Sequence, residues 1–146
     1  MNVIATFVAD PNKLRGVGLT VWVYMEPVPN AGPSAVPPRL VGALLDPGSE
    51  VCGIHPSVAE RFVDVARIKR KIWRRTLGLR EEDALKCKIV FQDQAQTSRT
   101  LLFSIVEEVK PYELLIGRDL LSEMKLEADF KTGEWSLSWS GTPESC

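Results

Sequence analysis

Residues 41–54, which read VGALLDPGSEVCGI, decide how the rest of the chain is interpreted. An apolar run ends at Asp46, a Pro47-Gly48 turn follows, and a second apolar run comes after it. An acid in this setting lies at the end of a strand, beside apolar side chains and backbone amides. These surroundings are typical of a carboxylate that takes part in catalysis. A type II turn between two strands has the same sequence pattern. Both interpretations stay open on this stretch alone.

The composition predicts one soluble globular domain. With 146 residues, the chain is long enough to bury about two-thirds of its unfolded surface. Its 45% apolar and 25% charged residues are ordinary for this class, and the formal net charge of -1 argues against a protein coated with nucleic acid. No apolar run reaches the roughly 18 residues of a membrane span, so no membrane partner is expected.

The cysteines and the histidine argue against a metal centre. Cys52, Cys87 and Cys146 are odd in number, widely spaced and outside any C-x-x-C pair, so they are expected to be free thiols in a reducing compartment. His55 is the only histidine, which excludes a multi-histidine metal site. Residues 1–10 also lack the basic start of a secretory signal. We therefore expect an intracellular, cytoplasmic protein with no metal and no cofactor.

The beginning of the chain is predicted to contain strands and one surface loop. Val3–Val8 is apolar and β-branched, and residues 17–24 alternate between apolar and other side chains, so both are predicted strands that pair as a hairpin. Residues 27–38 contain five prolines and form a surface loop, because proline has no N–H to donate to a strand ladder. Arg39–Leu45 then returns to the core as the strand that delivers Asp46.

Residues 58–75 are predicted to form the longer of two helices. Their apolar residues recur at spacings of four, three, three and four, which places them on one face of an amphipathic helix. They are Val58, Phe62, Val65, Ile68 and Ile72. The other face is basic, and three interpretations are open: a solvated face, a surface for an acidic partner or substrate, and a nucleic-acid contact. Nucleic acid is the least favoured, because Trp73 is the only aromatic residue within the basic run.

The remainder of the chain is predicted to be mostly strand. Gly78 ends the longer helix, and residues 81–83 are expected to form an acidic surface patch. The predicted strands are residues 86–91, 100–106, 114–116, 126–130 and 135–139. Residues 118–125 have the composition of a short helix. The last two strands flank a Lys-Thr-Gly turn and form a closing hairpin, and residues 140–146 are a polar tail.

Two motifs, in this order, resemble the retroviral-type aspartic protease family, the single-lobe relatives of pepsin. The first motif is LLDPG at residues 44–48, and the second is LIGRDLL at residues 115–121. Residues 126–133, LEADFKTG, are similar to the strand and turn that usually follow. The sequence PSVA at residues 56–59 is most similar to the cellular and retroelement-derived branches. Together these pieces cover about half of the chain.

The resemblance implies a mainly β, single-lobe acid-protease barrel over residues 1–139, with one longer and one short α-helix, paired as a two-fold homodimer. Each chain contributes one Asp, so Asp46 is the expected catalytic residue, in an active-site loop with Pro47, Gly48 and Ser49. Two carboxyls about 3 Å apart share one proton. The ionised carboxyl acts as general base on a water, and the neutral one acts as general acid at the peptide carbonyl. The implied activity is an aspartic endopeptidase acting on a peptide or protein substrate.

The resemblance also implies four supporting residues. Ile116 and Gly117 would pack beside the loop and shield it. Glu50 stands where family members often have an acid that pairs with the arginine of the second motif, here Arg118. If that pair is buried, losing one member would cost about 3–5 kcal/mol. If both side chains are exposed, the pair is worth less than about 1 kcal/mol. We expect the pair.

Two features depart from the family pattern. The family has Thr or Ser at the position of Pro47, and its hydroxyl and N–H form hydrogen bonds across the dimer axis. Proline supplies neither group, so two inter-chain hydrogen bonds per loop are lost, each worth about 0.5–1.5 kcal/mol. Ser49 carries a hydroxyl group close to Pro47 in the sequence. The Gly-rich flap is also missing, and either a variant hairpin around residues 67–80 or a helix replaces it. The alternative function is therefore a catalytically degenerate domain that serves as a dimerisation or protein-binding module.

Overall fold

The computed structural model describes residues 3–8, 20–28, 37–62, 65–74, 78–129 and 131–140, and within these ranges the protein is mainly β. The strands, in chain order, are β1 (Val3–Val8), β2 (Thr20–Pro27), β3 (Arg39–Leu45), β4 (Gly53–Ile54), β5 (Arg67–Arg74), β6 (Gly78–Phe91), β7 (Ser98–Ile105), β8 (Leu114–Ile116), β9 (Met124–Asp129) and β10 (Glu134–Trp139). The described helices are short: α1 (Pro56–Ala59), α2 (Arg118–Leu121) and a 3-10 helix (Glu107–Val109).

Six strands form a closed barrel in the order β2-β3-β8-β4-β7-β6, which closes where β6 pairs with β2. Most neighbours are antiparallel, but β3 is parallel to β8 and β4 is parallel to β7. Because β8 lies between β3 and β4, the connection from β3 to β4 passes over the end of β8. β5 extends the barrel sheet beyond β6, and β1, β10 and β9 form a separate three-stranded sheet.

The core is built from alternate residues of the barrel strands, because successive side chains of a strand point to opposite faces. In β3, Val41, Ala43 and Leu45 are buried, and the residues between them are more exposed. The facing strands contribute Val23, Met25, Ile89, Phe91, Phe103, Leu114 and Ile116. Burial of these apolar side chains stabilises the fold by about 25 cal/mol per Å² removed from water.

The predicted β1–β2 hairpin is wrong. β1 pairs with β10 from the other end of the chain, and β2 pairs with β3 and β6. Local hydrophobic alternation identifies a strand but carries no information about a partner that is distant in sequence. The described part of the second predicted strand begins at Thr20, and residues 17–19 lie outside the described residues.

The predicted long helix at residues 58–75 is also wrong. The helix α1 ends at Ala59, and β5 pairs antiparallel with the first half of β6. Residues four apart share a face in a strand as well as in a helix, so the spacing of Ile68 and Ile72 fits both structures. Opposite charges across the strand pair favour the sheet: Lys71 lies opposite Glu81, and Arg70 lies opposite Glu82.

Other predictions of local structure are confirmed. The strand Arg39–Leu45 and the strand Leu114–Ile116 have the predicted bounds. The closing hairpin is formed by β9 and β10, with Gly133 at a φ of 75° in the turn, where glycine is favoured. The short helix forms but ends at Leu121, because Met124 already belongs to β9.

Several predictions fall partly on residues that are not described. Most of the Pro-rich loop at residues 27–38 and residues 141–146 of the predicted tail lie outside the described ranges. Of the predicted acidic patch at residues 81–83, Glu82 is buried and is not part of an exposed surface. Within the described ranges, no helix has the length and apolar character that crossing a membrane requires.

Candidate active site

Asp46 lies at the point where β3 leaves the barrel. Its backbone N–H donates a 2.9 Å hydrogen bond to the carbonyl of Ile116, the last residue of the parallel neighbour β8. The two motifs are therefore adjacent in space. Asp46 begins a segment of residues 46–52, named the acid loop here, which crosses the end of β8 and leads into β4.

The carboxylate of Asp46 stabilises the turn that follows this residue in the chain. The N–H of Gly48 donates to Oδ1 of Asp46 at 2.9 Å, and the N–H of Ser49 donates to the Asp46 carbonyl at 3.1 Å. A Cβ on Gly48 would lie 3.1 Å from the same Oδ1, so a side chain there would crowd the carboxylate. Among the described residues, Oδ2 of Asp46 accepts no hydrogen bond, which leaves that oxygen for a water or a ligand.

Gly117 sets how closely the acid loop approaches the second motif. A Cβ on Gly117 would lie 2.5 Å from the carbonyl oxygen of Val51 and 2.9 Å from that of Ser49. Both contacts are with backbone atoms that cannot swing away, so only glycine fits at this position. Ile116, the last residue of β8, is fully buried.

The expected ion pair between Glu50 and Arg118 does not form. Both side chains are exposed, and no ion pair joins them in the part of the chain that the structure describes. Main-chain hydrogen bonds connect the same segments instead: Arg118 N–H donates to the Ser49 carbonyl at 2.8 Å, and Asp119 N–H donates to the Glu50 carbonyl at 3.2 Å. The Ser49 hydroxyl donates to the Val51 carbonyl at 2.8 Å, inside its own loop.

A contact that was not predicted from the sequence holds the far end of the acid loop. Asp119 of α2 accepts from the backbone N–H of Cys52 at 3.1 Å through Oδ2 and from the Cys52 thiol at 3.0 Å through Oδ1. Burial and the neighbouring Asp119 charge raise the pKa of the Cys52 thiol, so the thiol stays protonated and remains a donor. Asp119 stands inside the second motif, but no local pattern shows that its partner is a cysteine.

A cleft of about 700 Å³ lies above the acid loop. The loop forms one wall, and the hairpin of β5 and β6 forms the other, with Trp73, Arg74 and Glu82 among the lining residues. Trp73 is 66% exposed on this side of the cleft. The structure therefore places a hairpin, and not a helix, beside the acid.

Charged side chains join the two strands of the β5–β6 hairpin to each other and join the hairpin to β7. Arg74 binds both carboxylate oxygens of Glu82, with Nε to Oε2 at 2.9 Å, and Arg70 donates to the buried Ser104 hydroxyl at 2.7 Å. Burial alone would raise the pKa of Glu82, but the hydrogen bonds from Arg74 and Ser104 hold this pKa below its usual value. Burial lowers the pKa of Arg70, and the charges of Asp119 and Glu82 oppose that effect. A basic run precedes Gly78 in the sequence and an acidic run follows it. This pattern is the signal that could have predicted the pair of Arg74 with Glu82.

The cleft carries an excess of acid. Its lining includes four carboxylates, those of Asp46, Glu50, Glu82 and Glu108, and two guanidinium groups, those of Arg74 and Arg118. The excess is therefore two negative charges at neutral pH. No group of three or more His, Cys, Asp or Glu side chains suited to a metal ion occurs among the described residues.

Neither protein-family models nor curated proteins give a match to this chain.

Proposed function

We propose that the protein is an aspartic endopeptidase that works as a two-fold homodimer, with Asp46 of each chain forming the catalytic dyad. The observation that carries the proposal is the placement of Asp46. It stands at the end of a barrel strand, in a glycine turn, on the floor of a cleft large enough for a peptide segment. The resemblance of residues 44–48 and 115–121 to the retroviral-type proteases supports the same function.

The chemistry requires two carboxyls, and the described cleft offers only one carboxyl in this turn geometry. Two Asp46 side chains brought together at a two-fold axis would share one proton, because like charges at that distance cannot both ionise. The ionised Asp46 takes a proton as the water oxygen bonds to the peptide carbonyl carbon, and the partner's Asp46 gives its proton to the carbonyl oxygen. Collapse of this intermediate breaks the C–N bond: the proton that Asp46 took from the water passes to the leaving amine, and a hydroxyl proton of the intermediate returns to the partner's Asp46, which restores the dyad.

The β5–β6 hairpin would act as the cover of the cleft. A cover excludes water and adds contacts to the substrate in the transition state. Trp73 and Arg74 line the cleft from this side. The acid excess in the lining favours peptides that carry Lys or Arg near the cleaved bond, because opposite charges assist association.

Pro47 supports a second function of a different class. Pro47 and Gly48 are exposed at the tip of the acid loop, and the Gly48 N–H already serves Asp46 of its own chain. Proline has no N–H or hydroxyl to offer a second loop. A domain that dimerises or binds a protein without cleaving it would accept this substitution more readily than a protease.

A peptide library separates the two functions. Purified protein is incubated with the library between about pH 4 and 7, with Lys- and Arg-containing peptides included. The protease proposal expects cleavage by the native chain and none by Asp46→Asn, while Glu60→Gln, an exposed acid outside the cleft, cleaves normally. If the native chain cleaves no peptide, the protease proposal fails.

Pro47→Thr tests the alternative directly. The new hydroxyl and N–H can form hydrogen bonds to a second loop, each worth about 0.5–1.5 kcal/mol. A degenerate loop predicts a clear gain in cleavage or in dimer affinity, measured by sedimentation, when threonine is introduced. An active loop that has adapted to proline predicts no gain in either quantity. A separation near 3 Å between the two Asp46 carboxyls in a dimer would support the dyad.

A further inference from the structure

The acid loop is anchored at both of its ends. At its start, the Asp46 N–H is bound to Ile116, and in its middle the carbonyl of Ser49 is bound by Arg118. At its end, Cys52 donates both its N–H and its thiol to Asp119. The first two anchors use only backbone atoms, so they do not depend on which side chains the anchored residues carry. The third uses a carboxylate, so it depends on the identity of residue 119.

The position of Cys52 is fixed further from the barrel side. The N–H of Ser104 on β7 donates to the Cys52 carbonyl at 3.0 Å, and the Ser104 hydroxyl accepts from Arg70 of the hairpin. Arg70 also lies close enough to Asp119 for their opposite charges to interact. The carboxylate of Asp119 therefore joins the acid loop to α2, and the Arg70 charge of the hairpin acts on the same carboxylate.

Both oxygens of Asp119 are used, and each has a different donor. A carboxylate accepts one hydrogen bond at each of its oxygens, whereas an amide has a single acceptor oxygen and would turn its NH₂ group towards the other donor. The thiol is a suitable donor because burial raises its pKa and keeps it protonated. Cys52 is fully buried, so the loss of its acceptor costs the thiol a hydrogen bond inside the protein.

We infer that Asp119 is a positioning residue: through Cys52 it fixes the end of the acid loop and so the direction of the Asp46 carboxylate in the cleft. This inference rests on the proposed function for its effect on cleavage. The contact of Cys52 with Asp119, named the clamp here, can be measured without any enzymatic activity. Asp119 does not touch the reacting atoms. Replacing Asp119 should therefore lower the rate of the chemical step and make the acid loop less ordered.

Asp119→Asn and Cys52→Ala test the clamp by removing the acceptor and the thiol donor, respectively. In a cleaving protein, we expect kcat to fall about tenfold or more in each variant, with KM within about twofold. Cys52→Ser keeps a donor at the same place and should restore kcat to within about threefold of the native value. The matched control is Cys87→Ala, a second fully buried free thiol that lies outside the cleft lining.

Amide hydrogen exchange, measured by NMR, gives the readout that is independent of activity. Asp119→Asn should speed exchange at Cys52 and at Gly48, whose N–H is bound to Asp46, by about tenfold or more. Cys87→Ala should leave both amides at the native rate. A variant in which exchange at Cys52 speeds up while Gly48 is unchanged would contradict the link to Asp46.

The two failures are distinguishable. If the native chain cleaves nothing, the proposed function has failed, and the exchange rates at Cys52 and Gly48 still decide whether the clamp exists. If the native chain cleaves peptides but Asp119→Asn and Cys52→Ala behave like Cys87→Ala in kcat, the proposed function stands and the inference is wrong. Failure of the serine rescue at Cys52 would likewise overturn the role of the thiol as donor.

Discussion

The two walls of the cleft are held in place by different forces. The acid loop is fixed mainly by backbone hydrogen bonds and by the close approach that Gly117 permits. Beyond the backbone pairing of β5 with β6, the β5–β6 hairpin is held by charged side chains: Arg74 binds Glu82 across the two strands, and Arg70 binds Ser104 of β7. Adding side-chain atoms should therefore destabilise the acid loop more than the hairpin, and removing a charged group should destabilise the hairpin more than the acid loop.

Gly117→Ala should be the most damaging single change. The new Cβ would lie 2.5 Å from the Val51 carbonyl oxygen, so the acid loop must move away from β8. We expect the free energy of unfolding, measured by urea denaturation, to fall by about 3 kcal/mol. Gly42→Ala is the control, because its Cβ would have no neighbour closer than 3.6 Å, and it should change stability by less than about 1 kcal/mol. Equal losses in the two variants would show that close packing does not fix the loop.

Arg74→Met should produce the next largest loss, in the hairpin. It leaves the Glu82 carboxylate, whose side chain is only 7% exposed, without its charged partner. We expect a loss of roughly 2–3 kcal/mol, and most of it should return in the double variant Arg74→Met/Glu82→Leu. Lys69→Met is the control, since Lys69 is 72% exposed and 3.9 Å from Asp83, and its loss should stay below about 1 kcal/mol. A double variant as unstable as Arg74→Met would contradict the role of the unpaired carboxylate.

Ile72→Ala and Ile68→Ala compare two residues that a helix would bury together. In the hairpin, Ile72 is 8% exposed and Ile68 is 43% exposed. We expect Ile72→Ala to cost about 2 kcal/mol and Ile68→Ala less than about 1 kcal/mol in thermal or urea unfolding. Similar large losses at both positions would favour the helix that the spacing predicted.

The pH dependence of stability should differ between the walls. Burial acts to raise the pKa of Glu82, but hydrogen bonds from Arg74 and Ser104 outweigh it and hold this pKa below its ordinary value in the folded protein. A lowered folded pKa contributes stability above the unfolded pKa, and this contribution is lost as the pH falls through the folded pKa. Glu82→Gln should therefore flatten the stability curve below about pH 4.5, whereas Gly117→Ala should lower it evenly. An unchanged slope in Glu82→Gln would show that this pair does not contribute.

The parts of the site that could be predicted are those whose physical cause is local. An acid after an apolar run and before Pro-Gly is a strand end and a turn, and Leu114–Ile116 before Gly117 is a short buried strand. The resemblance then indicated that these two segments belong together, and Asp46 and Ile116 are hydrogen-bonded. Glu50 and Arg118 were matched by position in a motif, but the direction of exposed side chains depends on surroundings that no motif encodes.

The hairpin could not be predicted from local pattern because its two strands are specified by each other. Ile68 and Ile72 fit the period of a helix, and only the acidic residues at 81–83 favour a sheet. Those residues read as a surface patch until they are placed opposite the basic strand, where Glu82 is buried. The Cys52–Asp119 contact has the same character, since neither residue indicates the other in sequence.

The parallel pairing of β3 with β8 has a consequence for how the protein is made. Asp46 and its turn are synthesised early, but the Ile116 carbonyl that fixes Asp46 arrives much later along the chain. Contacts between such distant segments form slowly, because a long loop must first be closed. A nascent chain that stops before β8 therefore carries the acid without the strand beside it. The cleft can be completed only after β8 and α2 have been added to the chain.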